Sequence, residues 1–113
     1  MVKIYGIKNC GSVKKAIDFF IQHKIDYEFI DFKKTPPNLK QIREWAEKNS
    51  LESLLNKRGM TYKKLKLKDE ILTLQSIENY LLKEPMLIKR PIVETKNKIL
   101  IGFDSQQYKE TQW

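Results

Sequence analysis

The chain has 113 residues, 41% hydrophobic and 32% charged, with a formal net charge of +8. That length suits one domain, residues 1–113, with a core that needs no covalent staples. A single cysteine excludes an internal disulfide, a single histidine outside any Cys/His cluster excludes a metal site, and no apolar run approaches the roughly 20 residues of a membrane span.

In chain order, Val2-Lys3-Ile4-Tyr5 is a short β-like segment. Val13, Ala16, Ile17, Phe20 and Ile21 then recur at helical spacing on one apolar face, with Lys14, Lys15, Asp18 and Gln22 turned away from it. Residues 27–32 alternate and predict a second strand, so the opening is a β-α-β unit with parallel strands and a right-handed crossover. Thr35-Pro36-Pro37 breaks the chain. Asn38 is placed to cap a helix carrying Leu39, Ile42, Trp45 and Ala46. Leu51, Leu54 and Leu55 form a short apolar turn, followed by the basic loop Asn56-Lys57-Arg58-Gly59. Tyr62 and Leu65 suggest another short helix, and Leu74, Ile77 and Leu81 one more, ended by Pro85.

The remainder returns to β structure. Residues 87–93 and 98–101 read as a hairpin around Thr95-Lys96-Asn97, with Gly102 ending it. Asp104 with Gln107 predicts a capping box for a last helix. Residues 2–5, 27–32, 87–93 and 98–101 are expected in one mixed sheet.

The N-terminus has no basic-then-apolar leader pattern, which with the lone cysteine predicts a cytoplasmic protein. The basic residues are scattered and interleave with no aromatic stripe, so a nucleic-acid groove is not expected. His23 reads as a surface residue at a helix end, where the dipole favours it.

Cys10 is where chemistry is expected. It lies in Lys8-Asn9-Cys10-Gly11-Ser12, a polar turn between a strand and a helix. A thiol there faces the unpaired N–H groups of Gly11, Ser12 and Val13, which favour an anion and hence the nucleophilic thiolate. Lys8 adds positive charge nearby.

Residues 4–10, 13–16, 54–59 and 87–93, with Ile101-Gly102-Phe103 followed by Tyr108, resemble the arsenate reductase (ArsC)/Spx/YffB family in order and spacing. The YffB-like branch is the most similar. The resemblance implies an α/β, thioredoxin-like fold with a helical insertion between the N-terminal βαβ unit and the C-terminal hairpin. It implies Cys10 as the catalytic residue, Pro91 as a cis proline facing it, and Arg90 as the anion- or substrate-binding group. Arg58 matches the YffB pattern, whereas the anion-binding arginine of arsenate reductases in this region aligns with Asn56. Further departures stand out. Val13 replaces the second cysteine of Spx-type switches, and Gly6 stands where arsenate reductases carry a histidine. Residues 11–14 are Gly-Ser-Val-Lys rather than Gly-Thr-Ser-Arg. A further anion-binding arginine would fall near Gly102.

These residues together imply a cytosolic thiol-disulfide oxidoreductase with one nucleophilic cysteine and no bound cofactor. Glutathione is the expected co-substrate, because the resolving thiol must come from glutathione or a glutaredoxin-like donor. The alternatives implied are arsenate reduction coupled to glutathione or glutaredoxin, and an Spx-like regulator that binds RNA polymerase.

Overall fold

Strand β1 (Val2–Gly6) lies at the middle of the molecule's sheet, and the rest of that sheet is built around it. In the computed structural model, which describes residues 1–113, the strand order is β2-β1-β3-β4. β1 leads into α1 (Gly11–Gln22) and on to β2 (Tyr27–Asp31), which pairs parallel with β1 from Val2↔Tyr27 to Gly6↔Asp31. β3 (Ile92–Glu94) pairs antiparallel with β1, and β4 (Ile99–Ile101) antiparallel with β3. This mixed sheet, with helices inserted in the chain after β2, is a thioredoxin-like α/β fold.

The contacts divide the chain into two compact units: Met1–Thr35 with Arg90–Trp113, and Pro36–Lys89. The first holds the whole sheet. Its core joins Val2 and Ile4 of β1 to Val13, Ala16, Phe19 and Phe20 of α1, with Val93, Leu100 and Tyr108. Each large side chain sealed from water there contributes roughly 1.5–3 kcal/mol. α6 (Ser105–Glu110) starts at Asp104, whose carboxylate accepts from the N–H groups of Gln106 and Gln107. Tyr108 of α6 is fully buried, donates its hydroxyl proton to the Gly102 carbonyl at 3.0 Å, and meets the Phe19 ring edge-on at 5.4 Å.

That contact explains a difference from the periodicity. Phe19 joins the buried face, while Ile21 is 62% exposed, because the aromatic cluster draws the apolar stripe toward Phe19. At the end of α1, His23 stacks on Phe19 at 4.0 Å, and its Nδ1 lies 2.9 Å from the Phe19 carbonyl.

The second unit is helical. It holds α2 (Leu39–Lys48), α3 (Leu51–Leu54), α4 (Met60–Lys64) and α5 (Leu74–Lys83), with a 3-10 turn at Leu67–Asp69 between α4 and α5 and another at Pro85–Leu87 after α5. Asn38, Ser50 and Thr73 open α2, α3 and α5 with reciprocal capping boxes. Ile42, Trp45, Leu54 and Leu81 are fully buried. Arg43 bridges α2 to Glu78 of α5 through two bonds of 2.9 and 3.0 Å.

The expected strand over 87–93 is only partly formed. Pro85 starts a 3-10 turn instead, in which the Leu87 and Ile88 N–H groups bond back to Glu84 and Pro85. Ile88 then makes one isolated bridge to Leu55, and the sheet ladder begins only at Ile92. Pro91, which has no N–H to give, stands between the two.

Candidate active site

Two properties of the sheet gather the site. β1 ends at Gly6, and the chain turns through residues 7–9 so that Cys10 becomes the N-cap of α1, with φ −101° and ψ 126°. β3 runs back along β1 with Ile92 opposite Tyr5. Continuing that register sets Gly6 across from Pro91, so Arg90 arrives at the end of the sheet from which Cys10 departs. The Arg90–Pro91 peptide is cis, and Pro91 is buried. Its carbonyl accepts the Gly102 N–H at 2.8 Å, which fixes this corner to the end of β4.

Cys10 is partly exposed and is the chain's free thiol. Its carbonyl accepts the first intrahelical bond, from the Lys14 N–H at 3.0 Å. Its side chain makes no oxygen-type capping bond, in contrast to Asn38, Ser50 and Thr73. The N–H groups at the start of α1 therefore remain available to a charge on sulfur. Burial pushes the thiol up, but the Val13 N–H, a hydrogen bond donated by the Arg90 side chain, the Ser12 N–H and the Arg90 charge together outweigh it. They hold Cys10 below the ordinary range of a cysteine. The consequence is a partly exposed sulfur, readier to ionise than an ordinary thiol, with a cation beside it.

The other residues singled out from the sequence fall into three places. Gly11 and Ser12 are exposed at the first and second positions of α1. Lys8 is exposed in the turn before it. Arg58 belongs to the second unit, exposed in the loop after α3, where the Asn56 carboxamide accepts its backbone N–H at 3.3 Å. That loop borders a cavity of about 470 Å³ shared with Glu52, Leu55, Lys57 and Lys89. Lys57 is paired with Glu52 at 2.9 Å. No group of three or more His, Cys, Asp or Glu side chains is placed to hold a metal ion.

Sequence reasoning missed one participant. Gly6 enters it only for the histidine it replaces, yet a Cβ at Gly6 would fall 2.7 Å from Val13 Cγ2. The strand end and the first turn of α1 are thus in direct contact, and a lone glycine in a β pattern is the one signal of such an approach.

Known proteins are similar to this chain along nearly its whole length. A solved protein named YFFB superposes with a TM-score of 0.89 at 31% identity, over 96% of both chains. An arsenate reductase (ArsC) related protein from Brucella melitensis is 35% identical, over 96% of this chain and 91% of its own, with a TM-score of 0.76. The global transcriptional regulator Spx 2 of Bacillus cereus is 26% identical, over 97% of this chain and 86% of its own. Residues 5–111 match the ArsC family as a whole, so the chain belongs to the ArsC family.

Proposed function

We propose that this chain is a cytosolic thiol-disulfide oxidoreductase that uses Cys10 as its only nucleophile and glutathione as its co-substrate. One observation carries the reading: a partly exposed thiol, held below its ordinary pKa by a helix N-terminus and Arg90. Such a sulfur ionises more readily than an ordinary thiol and is reachable, which is what disulfide exchange needs.

The steps follow from the chain's composition. The Cys10 thiolate attacks the glutathionyl sulfur of a mixed disulfide R–S–S–G. The substrate S–S bond breaks, R–S⁻ leaves and takes a proton from water, and Cys10–S–S–G remains. No second cysteine exists to resolve it. A glutathione thiolate from solution attacks the glutathionyl sulfur of the adduct, forming glutathione disulfide and releasing the Cys10 thiolate. In sum, R–S–S–G and glutathione become R–SH and glutathione disulfide. Arg90 serves both steps, because the group that makes Cys10 a ready nucleophile also makes it a ready leaving group. Arg90, Arg58 and Lys8 are assigned to the glutathione carboxylates, and the Gly11 and Ser12 N–H groups to charge at the sulfur. Pro91 is assigned to the wall of the site. A glutaredoxin-like protein can take the place of free glutathione as thiol donor.

Intact-mass spectrometry after treatment with oxidised glutathione, arsenate or buffer tests the reading. One glutathionyl adduct is expected on the wild type and none on Cys10→Ser. Wild-type protein that takes up no glutathione sinks it.

Arsenate reduction is the second reading, favoured by the Arg90 guanidinium at the sulfur and by the similarity to the Brucella protein. A tetrahedral dianion needs several converging cations, because stripping its water is costly. Asn56 and Gly102 stand where others are expected, and Gly102 has φ +81°, a conformation that disfavours any side chain there. Slow or no arsenate turnover is therefore expected. Rapid turnover with glutathione and glutaredoxin supplied would promote this reading over the first. The similarity to Spx raises polymerase binding as a third, but the buried Val13 leaves no Cys-x-x-Cys pair to switch it.

A further inference from the structure

The side chains at Gly6 and Val13 touch no substrate in the proposed exchange, yet these residues meet at the first turn of the helix that Cys10 opens. Gly6 closes β1 and is held on the β2 side, where it pairs with Asp31 and its carbonyl accepts the Phe32 N–H at 2.8 Å. Val13 is fully buried at the third position of α1. A Cβ on Gly6 would lie 2.7 Å from Val13 Cγ2, nearer than carbon atoms approach, but 3.8 Å from both Val13 Cβ and Cγ1, which is ordinary contact. Valine in a helix has essentially one side-chain rotamer, so Cγ2 cannot swing aside. With the strand held by its ladder, the part that must yield to a larger residue at position 6 is the first turn of α1.

From this contact we infer that Gly6 and Val13 are positioning residues: the missing side chain at Gly6 lets Val13 seat the first turn of α1 on the end of β1, which aims the Val13 N–H at Cys10 Sγ. The inference deepens the proposed function and rests on it. The Val13 N–H is the foremost of the groups that lower the Cys10 thiol, so a small displacement of this turn bears directly on the sulfur. Neither residue touches substrate in this account. They act through the placement of one N–H group.

The size match makes the idea testable by a compensating pair. The pH dependence of iodoacetamide alkylation of Cys10 is measured in the wild type, Gly6→Ala, Val13→Ala and the double variant. Gly6→Ala is expected to raise the midpoint by on the order of half a pH unit, the scale of a helix-terminus interaction. In the double variant the offending Cγ2 is gone and the two Cβ atoms sit at an ordinary distance, so the midpoint should return to that of Val13→Ala. A Gly6→Ala midpoint equal to the wild type overturns the inference. So does a raised midpoint that the second substitution fails to restore, because the cause would then lie in the glycine backbone and not in the contact. If Gly6→Ala alone does not fold, recovery of folded protein with the Val13→Ala midpoint in the double variant is the same rescue, and a double variant that stays unfolded overturns it. A wild-type midpoint at the ordinary cysteine value removes the proposed function itself, whereas a depressed wild-type midpoint unmoved by Gly6→Ala removes only the positioning role.

Discussion

The start of α1, in the sheet-bearing unit, contrasts with three helix starts of the helical unit. In Pro36–Lys89, Asn38, Ser50 and Thr73 each accept a backbone N–H of the first turn on a side-chain oxygen and donate their own backbone N–H to a side chain of that turn in return. In the sheet-bearing unit, α1 begins at a cysteine that makes no such bond. The same unsatisfied N–H groups exist at every helix start. Filled by oxygen, they stabilise the helix. Left to sulfur, they stabilise a thiolate and leave it reactive. A cap can serve stability or chemistry, and under the proposed function this chain uses both kinds.

The sharpest way to break that contrast is Cys10→Ser. Glutathionylation and exchange should vanish, since serine has no comparable anion at neutral pH. Its hydroxyl is also a better helix cap than a thiol. Urea unfolding at a pH low enough to keep the thiol protonated should therefore show Cys10→Ser more stable than the wild type, by about 0.5–1 kcal/mol. A stability loss would mean that the start of α1 is already satisfied in the wild type.

Arg90→Lys comes next. It keeps the charge and loses the planar fork that reaches sulfur and carboxylate together. The rate of glutathione exchange should fall on the order of tenfold, and the alkylation midpoint of Cys10 should rise. Equal rates in the two proteins would remove Arg90 from the site.

For the second unit, Thr73→Ala deletes an oxygen cap outright. A loss of about 1 kcal/mol is expected in urea unfolding, opposite in sign to Cys10→Ser. Unchanged stability would show that the box of Thr73 and Ser76 contributes little.

The smallest effect is in the pH dependence of stability. The folded-state pKa of Cys10 is lowered, so the folded protein loses this proton more readily than the unfolded chain. The resulting stabilisation is fully present above the unfolded thiol's pKa of about 8.5. It is lost as pH falls through the lower, folded value. Relative to Cys10→Ser, wild-type stability should rise with pH across that window and then level off. A flat difference would contradict a lowered thiol.

Much of this was legible in the sequence, for identifiable reasons. The β-α-β opening and the place of Cys10 at its turn follow from hydrophobic spacing that is local and strong. Asn38 could be read as a cap because the signal lies within four residues. Residues 87–91 were not legible in the same way: Leu87 and Ile88 are apolar like a strand, but Pro85 and Pro91 bound a stretch that turns instead of pairing along the sheet. Phe19 lay off the expected helical stripe because its partner, Tyr108, is 89 residues away. The contact of Gly6 with Val13 was hidden for another reason. Sequence spacing says which residues neighbour a turn, and it says nothing of a gap measured in tenths of an ångström.

The chain's two tryptophans fall one in each unit. Trp45 is fully buried in α2, while Trp113 lies edge-on to Phe20 at 5.0 Å and donates its indole N–H to the Tyr108 carbonyl at 3.0 Å. Each unit therefore carries its own intrinsic fluorophore. In Trp45→Phe the emission reports on the sheet and its aromatic cluster, and in Trp113→Phe it reports on the helical unit. Denaturation curves followed in the two variants would coincide if the halves melt as one and separate if they do not, with no dye or label added.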